Sequence, residues 1–250
     1  MRSGRPLHSF QIMREKEADI SLLSGQDITA GGTTLYSPQY VFDSAYRTTL
    51  SVINLDSVPG VVTFRLVQEN GIQLGATRVV AIPPNGKVLV DDPAFFQPTG
   101  PQAVTGGYIE VVSDGVRLAG STVFSGANGQ SFSCALAFIS KLADSVLFSH
   151  AVSDETYFTG LAILNPNTAD AIVAIELRAA DGSVIDRKQH VIAAGHREAR
   201  LLTQYFPSLE GKNQSSGYIR LISDQPIASF ALFGTHSLSA ISAIPQQAIR

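Results

Sequence analysis

The chain repeats itself, and that limits what it can fold into more than any other feature. GYIEVVSD (107–114) returns as GYIRLISD (217–224), 110 residues later. Other landmarks keep nearly the same distance. Leu50, Asn54 and Leu66 match Leu161, Asn165 and Leu177 at 111, and the turn Asn70-Gly71 matches Asp181-Gly182 at 111. Ile82 and Phe96 match Ile192 and Phe206 at 110, Phe124 matches Phe233 at 109, and Leu35-Tyr36-Ser37 matches Leu147-Phe148-Ser149 at 112. An offset that drifts by single residues is what small loop insertions leave behind in two copies of one unit. The copies span 31–142 and 143–250, behind an N-terminal arm of residues 1–30.

Each copy reads as all-β. Val62, Phe64 and Leu66 alternate with Thr63 and Arg65, and Val173, Ile175 and Leu177 alternate with Ala174 and Glu176. Period two turns one set toward a core and the other toward water. Asn70-Gly71 and Asp181-Gly182 accept the positive φ of a tight hairpin, so strands follow at about 76–83 and 186–192. Pro83-Pro84-Asn85-Gly86 and Ala193-Ala194-Gly195 mark the next turn. Residues 161–164 are apolar throughout, which suits a strand buried on both faces or covered by a neighbour. Short helical turns fit 92–96 and 202–206. Seven or eight short strands in about 110 residues imply a β-sandwich per copy, of Ig-like or jelly-roll-like topology, with a closed barrel as the alternative. The join 141–144 has neither Gly nor Pro, so the two domains should touch and form a stiff rod.

Composition narrows function by exclusion. A net charge of -3 gives no basic field for nucleic acid, and no apolar run is long enough to insert in a membrane. The lone cysteine, Cys134, rules out an internal disulfide framework and reads as a small buried hydrophobe. Residues 1–20 hold no apolar signal core, which fits either a cytoplasmic chain or a piece of a longer secreted product.

The second copy carries FTGLAILNPN (158–167), IELRAADGSVI (175–185), IAAGHREARLLTQYFPSL (192–209), GYIRLIS (217–223) and PIASFALF (226–233). This pattern resembles a β-rich module of about 100–110 residues found, often in tandem, in secreted and surface proteins of environmental bacteria. The first copy departs from it at Gly86-Lys87 and Phe96-Gln97. The resemblance implies an extracellular or cell-surface setting and a non-catalytic architectural role, with no cofactor.

Catalytic constellations are missing from the sequence. Ser149-His150 and Thr235-His236 are adjacent pairs rather than triads, Ser131 lacks the glycine of a nucleophile elbow, and no histidine pair has metal-ligand spacing. The expectation is therefore a chain that is not an enzyme and holds no metal. Asp91-Asp92 and Asp154-Glu155 read as solvated turn carboxylates, and no carboxylate pair suits glycoside hydrolysis. The function expected is a structural, adhesive or self-assembling module, with a carbohydrate-binding accessory module as the alternative. Three residues are candidates to face a ligand: Tyr40 and Tyr46, in the polar stretch 38–49, and His196, which follows a turn glycine and bonds a loop backbone or a ligand. Lys87 is read as the first-copy counterpart of His196. Partners are a second copy, through strand donation by Ile20-Ser21-Leu22-Leu23 of the arm, or neighbouring domains of a larger protein.

Overall fold

The computed structural model describes residues 10–16, 19–24, 26, 31–96, 104, 106–127 and 132–249; Ser131 and the rest of the arm lie outside them. The alternating runs form strands: β1 (Phe10–Lys16), β2 (Asp19–Ser24), β3 (Thr34–Ser37), β4 (Tyr46–Asn54), β5 (Gly60–Gln68), β6 (Arg78–Ile82), β7 (Lys87–Val90), β8 (Gly107–Ser113) and β9 (Leu118–Gly126). There follow β10 (Ser133–Ala137), β11 (Ala143–Phe148), β12 (Tyr157–Leu164), β13 (Ala171–Ala179), β14 (Val184–Ile192), β15 (Arg197–Leu201), β16 (Gly217–Thr235), β17 (Ile241–Pro245) and β18 (Gln247–Ala248). Among the described residues, helical turns are confined to Pro93–Phe96, α1 (Leu202–Tyr205) and Pro207–Leu209. No helix among the described residues is long and apolar enough to cross a membrane.

All the strand pairs are antiparallel. In the first half one sheet runs β3-β8-β5-β6 and another β10-β9-β4-β7. In the second half β18-β11-β16-β13-β14 and β17-β16-β12-β15 follow the same plan, with β18 added. None of these sheets closes into a barrel. One core cluster draws on both sheets of the first half, with Phe64, Leu66 and Ile109 from one and Leu50, Val52 and Leu118 from the other. A second does the same in the second half, with Ile175, Leu177 and Leu221 meeting Leu161, Ile163 and Ala231. The fold is all-β and sandwich-like.

The halves differ where the chain passes from one sheet to the other. In the first half β8 and β9 are separated by residues 114–117, with Gly115 at φ 128°. In the second half β16 is continuous. Residues 217–223 pair with β13 and residues 228–235 with β12. A strand that bends out of one sheet into the next makes a sandwich corner.

Buried polar side chains recur at the repeat's spacing. Asn54, 1% exposed, donates from Nδ2 to Val58 O (2.7 Å) and Pro83 O (3.1 Å) and accepts at Oδ1 from Asp56 N (2.9 Å). Asn165 donates to Ala169 O (2.8 Å) and Ile192 O (2.9 Å) and accepts from Asn167 N (3.1 Å). Each amide ties a strand end to two turns. Thr48 exchanges two bonds with Val41 as Thr159 does with Val152. Asp43 and Asp154 each accept two backbone N–H groups, from Ala45 and Tyr46 and from Thr156 and Tyr157.

The register corrects two alignments read from the sequence. Leu35 lies opposite Val111 as Val146 lies opposite Leu221, so Leu35 corresponds to Val146, at an offset of 111. In the second turn the left-handed residue is Asn85 (φ 52°) in the first half and Gly195 (φ 71°) in the second. Asn54 N then bonds Gly86 O, and Asn165 N bonds His196 O. His196 therefore matches Gly86, and the counterpart of Lys87 is Arg197. The spacing misleads because Gly occupies the left-handed position in one turn and the next position in the other.

A third difference lies on the outward faces. Ala174 and Glu176 are both buried, at 8% and 4%, whereas Arg65 is exposed. Arg178 covers Glu176 at 2.7 Å. The cross-strand pair Arg65–Glu110 is charge-reversed as Glu176 opposite Arg220.

In the arm, β1 and β2 form a hairpin, from Phe10 opposite Ser24 to Lys16 opposite Asp19. The expected strand donor, residues 20–23, is paired here within its own chain. β2 runs alongside β10, and the Gln26 side-chain amide bonds Gly120 N and O on β9.

Replacing Asn165 with Ala strands the carbonyls of two turns in a buried setting. It should lower stability by about 2–4 kcal/mol in urea unfolding, with Asn54→Ala giving a loss of similar size.

Candidate functional site

The densest polar constellation lies where the two halves meet, and Arg197 is its centre. β15 begins directly after the Gly195 turn, and this aims the Arg197 side chain at the first half. The side chain is 2% exposed. Its Nε donates to Pro38 O, its Nη1 to Glu69 Oε1 and its Nη2 to Gln39 Oε1, while its backbone N donates to Glu69 O at 2.9 Å. Every one of these acceptors belongs to the first half. Burial pulls the guanidinium down to about 10, and the Glu69 carboxylate opposes that shift. The group stays charged because its donors are matched.

Beside it the Tyr108 hydroxyl donates to Gly195 O at 2.9 Å. An apolar seam continues from there. Val67 and Tyr108 pack with Leu164 and Ala228, and further along Leu136 packs with Ala162 and Phe230. The apolar run 161–164 is thus buried on both faces, its outward residues lying under the first half.

A second cluster joins the open edges of β14 and β15. Glu198 lies 3.3 Å from His190 Nδ1 and 3.0 Å from Arg200 Nη2. The Tyr205 ring meets His190 edge-on at 5.1 Å, and Arg200 lies over it at 5.9 Å. Burial and Glu198 push the Tyr205 hydroxyl well above the usual phenol range. The matching positions in the first half are Val80, Val88 and Phe95, which pack on the core. The fold therefore does not require polar groups here. No group of three His, Cys, Asp or Glu suited to a metal occurs among the described residues.

The three residues expected to face a ligand lie in separate surroundings. Tyr40 is 2% exposed and packs edge-on against Phe96 at 5.7 Å, and burial raises its hydroxyl to about 12. Its polar sequence neighbours concealed a core position, so the expected exposure is corrected. Tyr46 is half-buried and stacks on Phe124 at 5.3 Å, as its counterpart Tyr157 stacks on Phe233 at 5.2 Å. A stack present in both halves belongs to the scaffold. His196 is half-buried and its Nδ1 lies 2.9 Å from Ala194 O, so the ring is engaged by its own turn rather than by a neighbouring loop. Cys134 is 2% exposed and its thiol is raised by burial to about 12.

Sequence reasoning missed Arg197, Glu69, Gln39, Glu198 and Tyr205. The signal was present: with the turn register corrected, Lys87 against Arg197, Val88 against Glu198 and Phe95 against Tyr205 are among the positions where the copies differ in chemistry.

No protein-family profile matches the chain, and no curated protein matches it. Among solved structures, the chain has a weak likeness to the crystal structure of Ruminococcus gnavus beta-glucuronidase in complex with uronic isofagomine. It is 10% identical, has a TM-score of 0.16, and covers 87% of this chain and 34% of that one. The chain thus spans about a third of that protein's length.

Truncating Arg197 to Ala leaves the Pro38 carbonyl and two side chains without their donor. A loss on the order of 3–5 kcal/mol is expected, against less than about 0.5 kcal/mol for Lys87→Ala on the exposed counterpart, both read by urea unfolding. The Cys134 thiol should resist a disulfide reagent at pH 8 in the native protein and react within minutes in denaturant.

Proposed function

We propose that the chain is a tandem pair of homologous β-sandwich domains, 31–142 and 143–250, acting as a stiff, non-catalytic structural or adhesive module of a bacterial extracellular or cell-surface protein. The observation that carries this reading is the Arg197 clasp. A buried cation whose acceptors all come from the other domain makes separation of the two costly, because opening the joint strands the charge. The apolar seam from Tyr108 to Phe230 adds to the same joint. The polar groups there are consumed by one another, which suits a load-transmitting contact better than a reacting centre. The extracellular setting rests on the resemblance of residues 158–233 to modules of surface proteins.

The arm fits the same scheme. β2 lies alongside β10 much as β10 lies alongside β17. We propose that the hairpin covers, in cis, a face of the first domain at β10.

Light scattering on the full chain and on a chain lacking residues 1–30 tests both parts. The full chain should be monomeric, and the truncated chain should gain mass through its uncovered face. Full-length oligomers that dissolve on truncation would overturn the cis cap in favour of strand exchange between copies. X-ray scattering of the wild type should fit one fixed arrangement of the two domains, and Arg197→Ala should need several.

A further inference from the structure

A groove runs over the outer face of the sheet β15-β12-β16. Near the joint it is a cleft of about 280 Å³ whose rim includes Gln39 and Glu69. It continues into a wider depression of about 680 Å³ edged by His236, Lys212 and Asn213. The two adjoin at Phe158, Leu201 and Gln204, and the pair makes up the channel.

Its floor is shaped by two glycines. A Cβ on Gly160 would meet nothing closer than Leu201 Cδ2 at 3.8 Å. Close approach therefore does not explain a glycine in the middle of β12, and a strand interior favours a side chain there. Its effect is to leave the floor open. On the neighbouring strand a Cβ at Gly234 would lie 2.9 Å from the Phe158 Cζ. The Phe158 ring therefore lies across Gly234, 5.7 Å from the His236 ring, and lines both cavities.

The first half has none of this. With Tyr46 opposite Gly126 as Tyr157 is opposite Thr235, Phe158 and Gly234 correspond to Arg47 and Ser125, Gly160 to Thr49, and Phe230 to Ser121. The same fold forms there without the aromatic platform and without the glycine gap.

We infer that this channel binds a neutral polysaccharide, with a sugar ring stacked on Phe158. A pyranose presents an apolar C–H face to a flat ring and hydroxyls around its edge. The channel supplies both: Phe158 and Leu232 below, and Gln39, Glu69, Arg200 and Gln204 along the rim. Arg197 holds the Gln39 and Glu69 side chains in place from beneath. The Gln204 carbonyl oxygen is engaged by Leu201 N at 2.8 Å, which fixes the side chain and leaves its NH₂ to donate. Charges of both signs edge the channel, so no single-signed field recruits a polyanion. The backbones of β12 and β16 beneath it are paired on both sides, so a peptide cannot add a strand to either of them. The inference is independent of the spacer role: the channel binds sugar whether or not the domains act as a rod.

The test is native affinity electrophoresis of the full chain in gels containing soluble β-glucan, xylan, galactomannan or α-mannan, with heparin as the charged control. At least one neutral polysaccharide should retard the wild type, and heparin should not. Phe158→Ala and Gly160→Val should each weaken that retardation at least tenfold. Gly160→Val should melt at or above the wild-type temperature, since it fills open space with a good strand former, so its loss of binding is not a loss of fold. The inference is overturned if none of the four polysaccharides retards the wild type, if both variants bind like the wild type, or if a selected peptide occupies the channel in their place.

Discussion

A guanidinium can sit inside a protein only if its donors find acceptors there, and this condition governs the joint between the two halves of the chain. Arg197 is 2% exposed, and its side-chain donors meet the Pro38 carbonyl, the Gln39 amide and the Glu69 carboxylate. None of these acceptors lies on the strand that carries it; all come from the first half. The first half must come to the second. Once it does, Val67 and Tyr108 are set down over Leu164 and Ala228, and the C-terminal end of the outward face of β12, at Ala162 and Leu164, becomes interior. A charge that is expensive to bury thus specifies one arrangement of two surfaces that apolar contact alone would hold less selectively.

The comparison of the halves separates what the fold needs from what one half has added. Both keep the strand-end asparagine, the threonine that bonds back to the preceding loop, the aspartate turn, and the stacked Tyr–Phe pair. These satisfy backbone groups that the sandwich edge would otherwise bury unpaired. The second half alone has the Glu198–His190–Tyr205 cluster, the Arg197 clasp and the Phe158 channel. At those positions the first half uses valine, phenylalanine, an exposed lysine and an arginine.

Much of the fold is legible in the sequence because period-two alternation and Asn-Gly or Asp-Gly turns are local signals. The hairpin β13–β14 around Asp181-Gly182 and the short turn at 202–205 follow from them directly. Other features depend on contacts far along the chain. Tyr40 sits among polar residues and still enters the core, because Phe96 lies above it. The segments 217–223 and 226–233 lie in one continuous strand, β16, and Pro226 falls at the corner where that strand changes sheets. The site was harder to see for a single reason. A one-residue shift at the second turn placed His196 against Lys87 and hid Arg197, and only the bonds from Asn54 and Asn165 to the following residues settle that register.

The account stands or falls on whether the two halves move as one body. Residual dipolar couplings of backbone amides in a weakly aligning medium measure this directly. The account predicts that couplings from residues 31–137 and from residues 143–249 fit a single alignment tensor, with the same magnitude and axes. Two tensors of clearly different magnitude in the wild type would contradict it, because halves free to reorient cannot keep Arg197 matched to Pro38, Gln39 and Glu69.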